Sequence, residues 1–543
     1  MFKVFNGKIK NVTVAAIIVG GAGFVSRLLG VIRDRILAGE FGAGDMLDIY
    51  YAAFRVPDLV FNLLVLGALS AGFIPIFSRY LKKKDQENEK ISKEALHLVN
   101  SLFSVVAVCL IILCSILAFL SPWLVPLITP GFGSEKMELT IAMTRLMFLS
   151  PIFLGISSIF GGILQSFRRF FVYSLAPIMY NIGIIIGALF FVPVWGIYGL
   201  AYGVVLGTIL HLLIQVPTAI LLGWRFEWLW DIYHKGLRLI GKLMVPRTLA
   251  LAITQINLLV ITIIASTLSN GSISVFNLAN NLQSFPIGIF GISYAIAVFP
   301  LLSDFANQNK KGELIKSFSS TLRQILFFIV PISILFLLLR AQIVRVILGS
   351  GNFDWSDTIR TADALAFFSF SLFAQATIPL LARVFYAFQN TFYPFVIGLV
   401  SALVNILASL VFAPLYGVAG LALAFSLASI VNFILLWVAL RIKIGDLDEA
   451  SILNSLFKMS IAAFAMAPIV QLTKGFIAPM VDMERFWGIF LQGFIAGIIG
   501  LGIYFLVGLL LRSPEMIAFK EALVKKLFKV KLSTGSADES RGI

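Results

Sequence analysis

An all-α integral membrane protein is predicted, with fourteen transmembrane helices in two pseudo-symmetric six-helix lobes plus two C-terminal helices; three observations predict it. Of the 543 residues, 59% are hydrophobic and 13% charged, with a mean hydropathy of +0.97, whereas soluble domains carry about 25% charged residues. Charge-poor runs of about 20 residues, enough to cross a bilayer, recur from end to end. Lys and Arg crowd alternate connections, the signature of cytoplasmic loops. The alternating segments of about ten residues that mark a membrane barrel are missing.

The first run, 11–38, carries arginines and no small-residue cleavage site, so it reads as a retained helix rather than a signal peptide. The second, 48–76, is interrupted by Pro57, whose ring removes a helix hydrogen bond. Run 95–122 holds the only cysteines, Cys109 and Cys114; five apart and without a nearby His, they read as core filler. A nearly balanced loop, TPGFGSEKMEL, leads into 138–166, and the basic pair Arg168-Arg169 into 172–192. Run 197–222 carries His211 and Gln215 one turn apart, read as an interhelical pair. The basic connection Arg225 to Lys242 leads to 240–266 and 272–303. Between Arg247 and Asp304 there is no charged residue; Gln255, Asn257, Asn270, Asn277, Asn280, Asn281 and Gln283 supply amides that brace helices or hydrogen-bond a sugar. Lys310-Lys311 precedes 318–346, and the near-balanced GSGNFDWSDT precedes 360–388. Runs 393–413 and 417–440 end at Arg441 and Lys443, and 455–477 and 486–511 close the set. Lys3, Lys8 and Lys10 at one end, Arg79 with Lys82 to Lys84, and Lys520, Lys525, Lys526, Lys529 and Lys531 at the other place both termini in the cytoplasm. An even number of spans satisfies this. The net charge of +15 therefore belongs to a membrane face rather than a nucleic-acid site.

The chain repeats itself weakly. QSFRRFFVY (165–173) aligns with YAFQNTFYP (386–394) and PVWGIYGLA (193–201) with PLYGVAGLA (414–422), at one offset of 221 residues. Pro75 parallels Pro300 at 225. An offset spanning six helices keeps both copies in one orientation, with a site at their interface. The expected organisation is an N-terminal lobe over 1–222, a C-terminal lobe over 240–445, two helices over 450–512 and a cytoplasmic tail over 513–543, whose polar end STGSADESRGI is expected to be disordered.

Chemistry concentrates at Gly23 to Pro75, where Arg27, Arg33, Asp34, Arg35, Asp48 and Arg55 interrupt apolar helices. A charge near the bilayer centre costs roughly 2.5–3.5 kcal/mol, so such groups face a wet cavity or a partner. Gly23, Arg27, Gly30 and Asp34 share one helical face, with Arg33 about 120° round. Guanidinium forks match phosphate oxygens bidentately, which gives a diphosphate clamp; the competing reading is a structural network pairing Arg27 or Arg33 with Asp34 or Asp48. Arg55, before Val56-Pro57, either faces the cavity or snorkels, and Arg35 is expected to snorkel. No phosphate loop, zinc motif or catalytic triad is present, so no enzyme, catalytic residue, metal or cofactor is predicted, and transport is what remains.

SRLLGVIRD (26–34), FGAG (41–44) and Asp48 resemble the first-helix signature of the MurJ/MviN family, lipid II flippases of the multidrug/oligosaccharidyl-lipid/polysaccharide exporter superfamily. PGF (130–132), TRLMF (144–148), ILQSFRRF (163–170), YNIG (180–183), QINLLV (255–260), FPIGIFG (285–291), GNFD (351–354) and ARVFYAFQNTFYP (382–394) follow in that family's order. The resemblance implies export of a polyprenyl-diphosphate-linked disaccharide-peptide across the bacterial cytoplasmic membrane by alternating access, with membrane lipids and cell-wall synthesis proteins as partners. It also implies Ser26, Arg27, Arg33, Asp34 and Asp48 as cavity residues. The chain departs from it at Phe61-Asn62, where the family has Arg-Arg, at Leu66 to Ser70, and at Asn280-Asn281, where it has Asp-Arg. Ile261 and Asn390 replace further acids, which leaves no sodium site. Asn280 and Asn281 join Arg55 as candidate substrate contacts. Two alternatives remain open: a flippase for another polyprenyl-diphosphate glycan, and a transport-inactive scaffold for wall synthesis.

Overall fold

The computed structural model describes residues 12–66, 72–81 and 90–528. Lys3, Lys8, Lys10, Gly67 to Ser70, Lys82 to Lys84, Lys529, Lys531 and the polar end from Ser533 lie outside the described residues. Among the described residues there is no strand. The helices run α1 Val12–Phe41, α2 Asp45–Val60, α3 Ile74–Tyr80, α4 Lys93–Ile128, α5 Ser134–Met147, α6 Leu149–Ser166, α7 Phe170–Ile186, α8 Val192–Trp195, α9 Tyr198–Leu213, α10 Val216–Leu221 and α11 Lys235–Ser266. They continue with α12 Ser272–Pro286, α13 Ser293–Asn307, α14 Lys311–Leu338, α15 Arg340–Leu348, α16 Trp355–Ser369, α17 Leu372–Ala387, α18 Phe392–Tyr416, α19 Val418–Ile444, α20 Glu449–Ile477, α21 Phe486–Leu510 and α22 Pro514–Phe528.

Over the described residues, every apolar run of the sequence coincides with one of these helices or with a consecutive set. Among the described residues ten helical stretches are long and apolar enough to cross a membrane, or eleven if α16 and α17, bent by 49°, form one span. The stretches outside this set are the polar or broken ones. α1 carries Arg27, Arg33, Asp34 and Arg35, α2 gives way to a π-helical stretch at Phe61–Leu66, and only Leu251–Ser266 of α11 is continuously apolar.

Packing groups the chain into two compact units. The first comprises Met1–Phe285, Val344–Phe368 and Phe395–Asn432. One of its cores gathers Phe73, Phe77, Leu98, Leu102, Phe160 and Ile163; another gathers Leu37, Leu47, Tyr50, Ile184, Leu200 and Val204. The second comprises Pro286–Ile343, Ser369–Pro394 and Phe433–Ile543. There Phe519 of α22 packs on Phe327 and Phe505, and Arg323 pairs with Glu515 at 3.0 Å.

Backbone conformations recur at the sequence offset. Arg168 and Gln389, 221 residues apart, both take positive φ (59° and 55°), as do Gly196 and Gly417 (57° and 59°) at the same spacing. Both glycines follow a helix that carries Pro near its end, and left-handed φ there suits a residue without Cβ. The π-helical stretches Phe61–Leu66 and Ile287–Ile292 stand 226 residues apart.

Candidate functional site

The charged residues of α1 and α2 occupy distinct environments within the first unit. Along α1 the predicted stripe runs from exposed to buried: Gly23 and Arg27 are exposed, Gly30 is half-buried and Asp34 is buried. A Cβ added at Gly23 or Gly30 would meet nothing within 4 Å, so this face of the helix is open. Arg27 makes no hydrogen bond or ion pair among the described residues. Its guanidinium stands exposed on an otherwise apolar stretch of the helix.

Arg33 is differently placed. Its Nε and Nη2 both donate to Asp34 Oδ1, at 3.0 and 2.8 Å, and its Nη1 donates to Asn181 Oδ1 of α7 at 3.1 Å. Asn181 Nδ2 in turn donates to the Ser26 carbonyl and hydroxyl oxygens at 3.3 and 3.4 Å, tying α7 to α1. Asp34 Oδ2 accepts from Asn281 Nδ2 of α12 at 2.9 Å. Ser26, Arg33, Asp34, Asn181 and Asn281 are therefore one network, and an incoming anion must displace Asp34 to take the Arg33 fork. Asn280 stands apart from it, accepting from Gln283 at 3.0 Å.

Asp48 has both oxygens engaged. Oδ1 accepts from the Ser274 amide and hydroxyl at 2.8 and 2.7 Å; Oδ2 accepts from the Gly271 amide at 2.8 Å and from Lys136 Nζ at 3.0 Å. The carboxylate thus caps the first turn of α12, where orphan amides and the helix dipole favour an anion. Gly271 is fixed by this arrangement: its φ is +82°, and a Cβ would lie 1.8 Å from the Ala43 carbonyl oxygen. With its acceptors taken, Asp48 is a structural residue, and the Lys136 that completes it was not foreseen as a partner.

Arg55 donates Nε to Thr262 Oγ1 at 2.7 Å and Nη2 to Asn277 Oδ1 at 2.8 Å, so it faces α11 and α12 rather than snorkelling. Both partners are neutral. Arg35 likewise does not snorkel; its Nη1 donates to the carbonyls of Val346 and Ile347 at the end of α15, at 2.5 and 3.1 Å. One acid escaped the sequence reading. Asp58, one turn past Arg55 and half-buried, has no carboxylate partner among the described residues, and its signal was simply an acid in an apolar helix beside an arginine. Asn62, at a position of the departed Arg-Arg pair, donates Nδ2 to the Asp58 carbonyl oxygen at 2.8 Å. The predicted His211–Gln215 pair is joined by Ser157 of α6, whose hydroxyl lies 2.7 Å from His211 Nδ1 and accepts from Gln215 Nε2 at 2.7 Å.

The family model described as "Lipid II flippase MurJ" matches residues 37–491, most of the chain. The chain belongs to the lipid II flippase MurJ family. A Burkholderia cenocepacia lipid II flippase MurJ is 30% identical over 441 residues, covering 79% of this chain and 84% of that protein. A probable lipid II flippase MurJ of Vibrio cholerae is 28% identical over 511 residues, covering 92% and 96%. A solved structure of a lipid II flippase MurJ in an inward closed conformation shares the fold with TM-score 0.74 at 24% identity, over 93% of this chain and all of that one. An inward-facing MATE family multidrug transporter shares the fold more distantly, with TM-score 0.63 at 16% identity over 78% of this chain. As members of the MurJ family are multi-span proteins of the bacterial inner membrane, membership places this chain there. The family match begins at residue 37, after Arg27, Arg33 and Asp34, so the chemistry of those residues is argued from their geometry.

Proposed function

We propose that the chain flips lipid II from the inner to the outer leaflet by alternating access, with Arg27, Arg33 and Arg55 gripping the diphosphate. The observation that carries this reading is Arg27, a guanidinium without a partner among the described residues on the open face of α1, about one turn and a half from Arg33. Bidentate charged contacts contribute about 1.5–3 kcal/mol each, and the absence of the family's arginines at Phe61-Asn62 and Asn281 leaves α1 as the principal grip. Family membership and the names of its relatives support lipid II as the cargo. Fourteen spans in two six-helix lobes, over 1–222 and 240–445, with helices over 450–512 and both termini in the cytoplasm, complete the proposal. The recurrence of left-handed Gly196 and Gly417 at one offset supports the duplication.

Complementation tests the function. Expression of the chain should restore growth to a strain depleted of its own lipid II flippase, and Arg27→Ala should abolish the rescue while leaving the protein in the membrane. A chain that folds yet never rescues removes lipid II as cargo. The amides at Asn62, Asn280 and Asn281 favour a second cargo, another polyprenyl-diphosphate glycan, and neighbouring capsule rather than wall genes would favour it.

A further inference from the structure

Arg55 and Asp58 lie one turn apart on α2, with side chains three residues apart on one face. They do not form an ion pair. Arg55 is held by a hydroxyl and an amide, Thr262 and Asn277, and its Nη1 is unbonded among the described residues. The Asp58 carboxylate accepts no hydrogen bond there. On its own helix it is within electrostatic reach of Arg55 and Tyr50; α1 contributes Arg33 and α7 contributes Tyr180. Lys136 of α5 is engaged with Asp45 and Asp48, and α6 carries no titratable side chain. Its two cationic neighbours are thus the two arginines that the proposed clamp would turn toward a diphosphate.

An isolated carboxylate in a membrane helix is costly as an anion unless a cation compensates it. While the clamp is empty, the field of Arg55 and Arg33 supplies that compensation. A diphosphate seated on those arginines cancels it and adds like charge beside the acid, so the anion and the ionised carboxylate exclude one another. We propose that Asp58 is a proton-binding site of this transporter: it takes one proton from water when the polyprenyl diphosphate is loaded and returns it when the cargo leaves. The step makes one O–H bond on the carboxylate and breaks one in hydronium, with no other co-reactant. It links proton binding to cargo binding through the chain's own residues, and it rests on the diphosphate clamp proposed above.

Binding of UDP-N-acetylglucosamine, a diphosphate diester with no titrating group in the range, to the full-length protein in detergent, followed across the pH range 5.5 to 8 (about two and a half decades of proton activity), tests the idea. One linked proton limits the effect to about tenfold in affinity per pH unit. The wild type should bind tighter as pH falls, and Asp58→Asn, a permanently neutral isostere, should bind tightly with little pH dependence. Infrared difference spectra should show a protonated-carboxyl band appearing on ligand addition to the wild type and missing from Asp58→Asn. Ligand binding without that band, or an unchanged pH slope in Asp58→Asn, overturns the proton site and leaves the clamp standing. Failure of the wild type to bind at any pH instead removes the clamp, and the proton site falls with it.

Discussion

Arg27 and Arg33 sit six residues apart on one helix, yet the folded chain uses them in opposite ways. Arg33 satisfies Asp34 and Asn181, whereas Arg27 holds nothing. Arg33→Ala should therefore cost about 1–3 kcal/mol by stranding a buried carboxylate, while Arg27→Ala should stay within about 0.5 kcal/mol. Both should lose transport. Thermal unfolding in detergent checks this, and equal destabilisation by the two variants would sink the distinction. Asp48 makes the larger stability prediction. Its carboxylate and Lys136 are almost wholly enclosed, with 3% and 14% side-chain exposure, so Asp48→Ala leaves Lys136 to Asp45 alone and removes the α12 cap, at about 2–4 kcal/mol. Asp48→Asn keeps an acceptor and should lose less. Sequence reasoning placed Asp48 beside the cavity because charge in an apolar helix is visible in one dimension. Its partners Lys136, Gly271 and Ser274 are 88, 223 and 226 residues away, a distance at which no periodicity carries information. The same limit hid Arg35, read as a snorkelling side chain, from the carbonyls of α15.

At the scale of elements, hydropathy located the helices because each run must satisfy its own backbone hydrogen bonds inside lipid. It did not locate their breaks. The π-helical stretch Phe61–Leu66 follows Pro57 by four residues and Ile287–Ile292 begins directly after Pro286, but many helices here carry Pro without such a stretch, as α14 does at Pro331. A π stretch is one residue of excess turn, often kept at a functional position. Deleting Leu64 should return the stretch to α-helical geometry, closing the widened turn while the residues after it keep their facing. Complementation should then fail although the protein still inserts; rescue by the deletion variant would show that the wider turn is dispensable. The repeated glycines allow a matched pair of tests. At Gly196 and Gly417 an added Cβ meets no neighbour, so Gly→Ala at each should cost only the backbone strain of a positive φ, about 1–3 kcal/mol. The two losses should agree in unfolding measurements, and a large difference would mean that the second copy has drifted from the first in its local packing.

For the molecule as a whole, orientation follows from where the charge lies rather than from how much there is. The Lys and Arg that crowd the termini and alternate connections argue for those connections on the cytoplasmic side, because moving Lys and Arg across the bilayer during insertion is disfavoured. The proposed fourteen spans then assign each connection by parity. The loop after the third span contains Gly133 and the loop after the ninth contains Ser356; both belong outside. The connections after the sixth and eighth spans contain Lys235 and Gly312, and both belong inside. Gly133, Ser356, Lys235 and Gly312 are all exposed, and a Cβ at Gly133 or Gly312 meets nothing within 4 Å, so single cysteines fit at each. In a background with Cys109 and Cys114 replaced by serine, a membrane-impermeant thiol reagent applied to intact cells should label the cysteines at 133 and 356. Those at 235 and 312 should react only after the membrane is opened. The four positions straddle the stretches that length and hydropathy alone leave uncounted, α1, α2 and α11. Labelling of the cysteine at 235 from outside would mean that α1 or α2 does not cross. Labelling at 312 with 235 protected would place the error in α11. Parity thus ties the first nine spans to four accessibility measurements, which bear on α1, α2 and α11, the helices that their own charge or breaks set apart by composition.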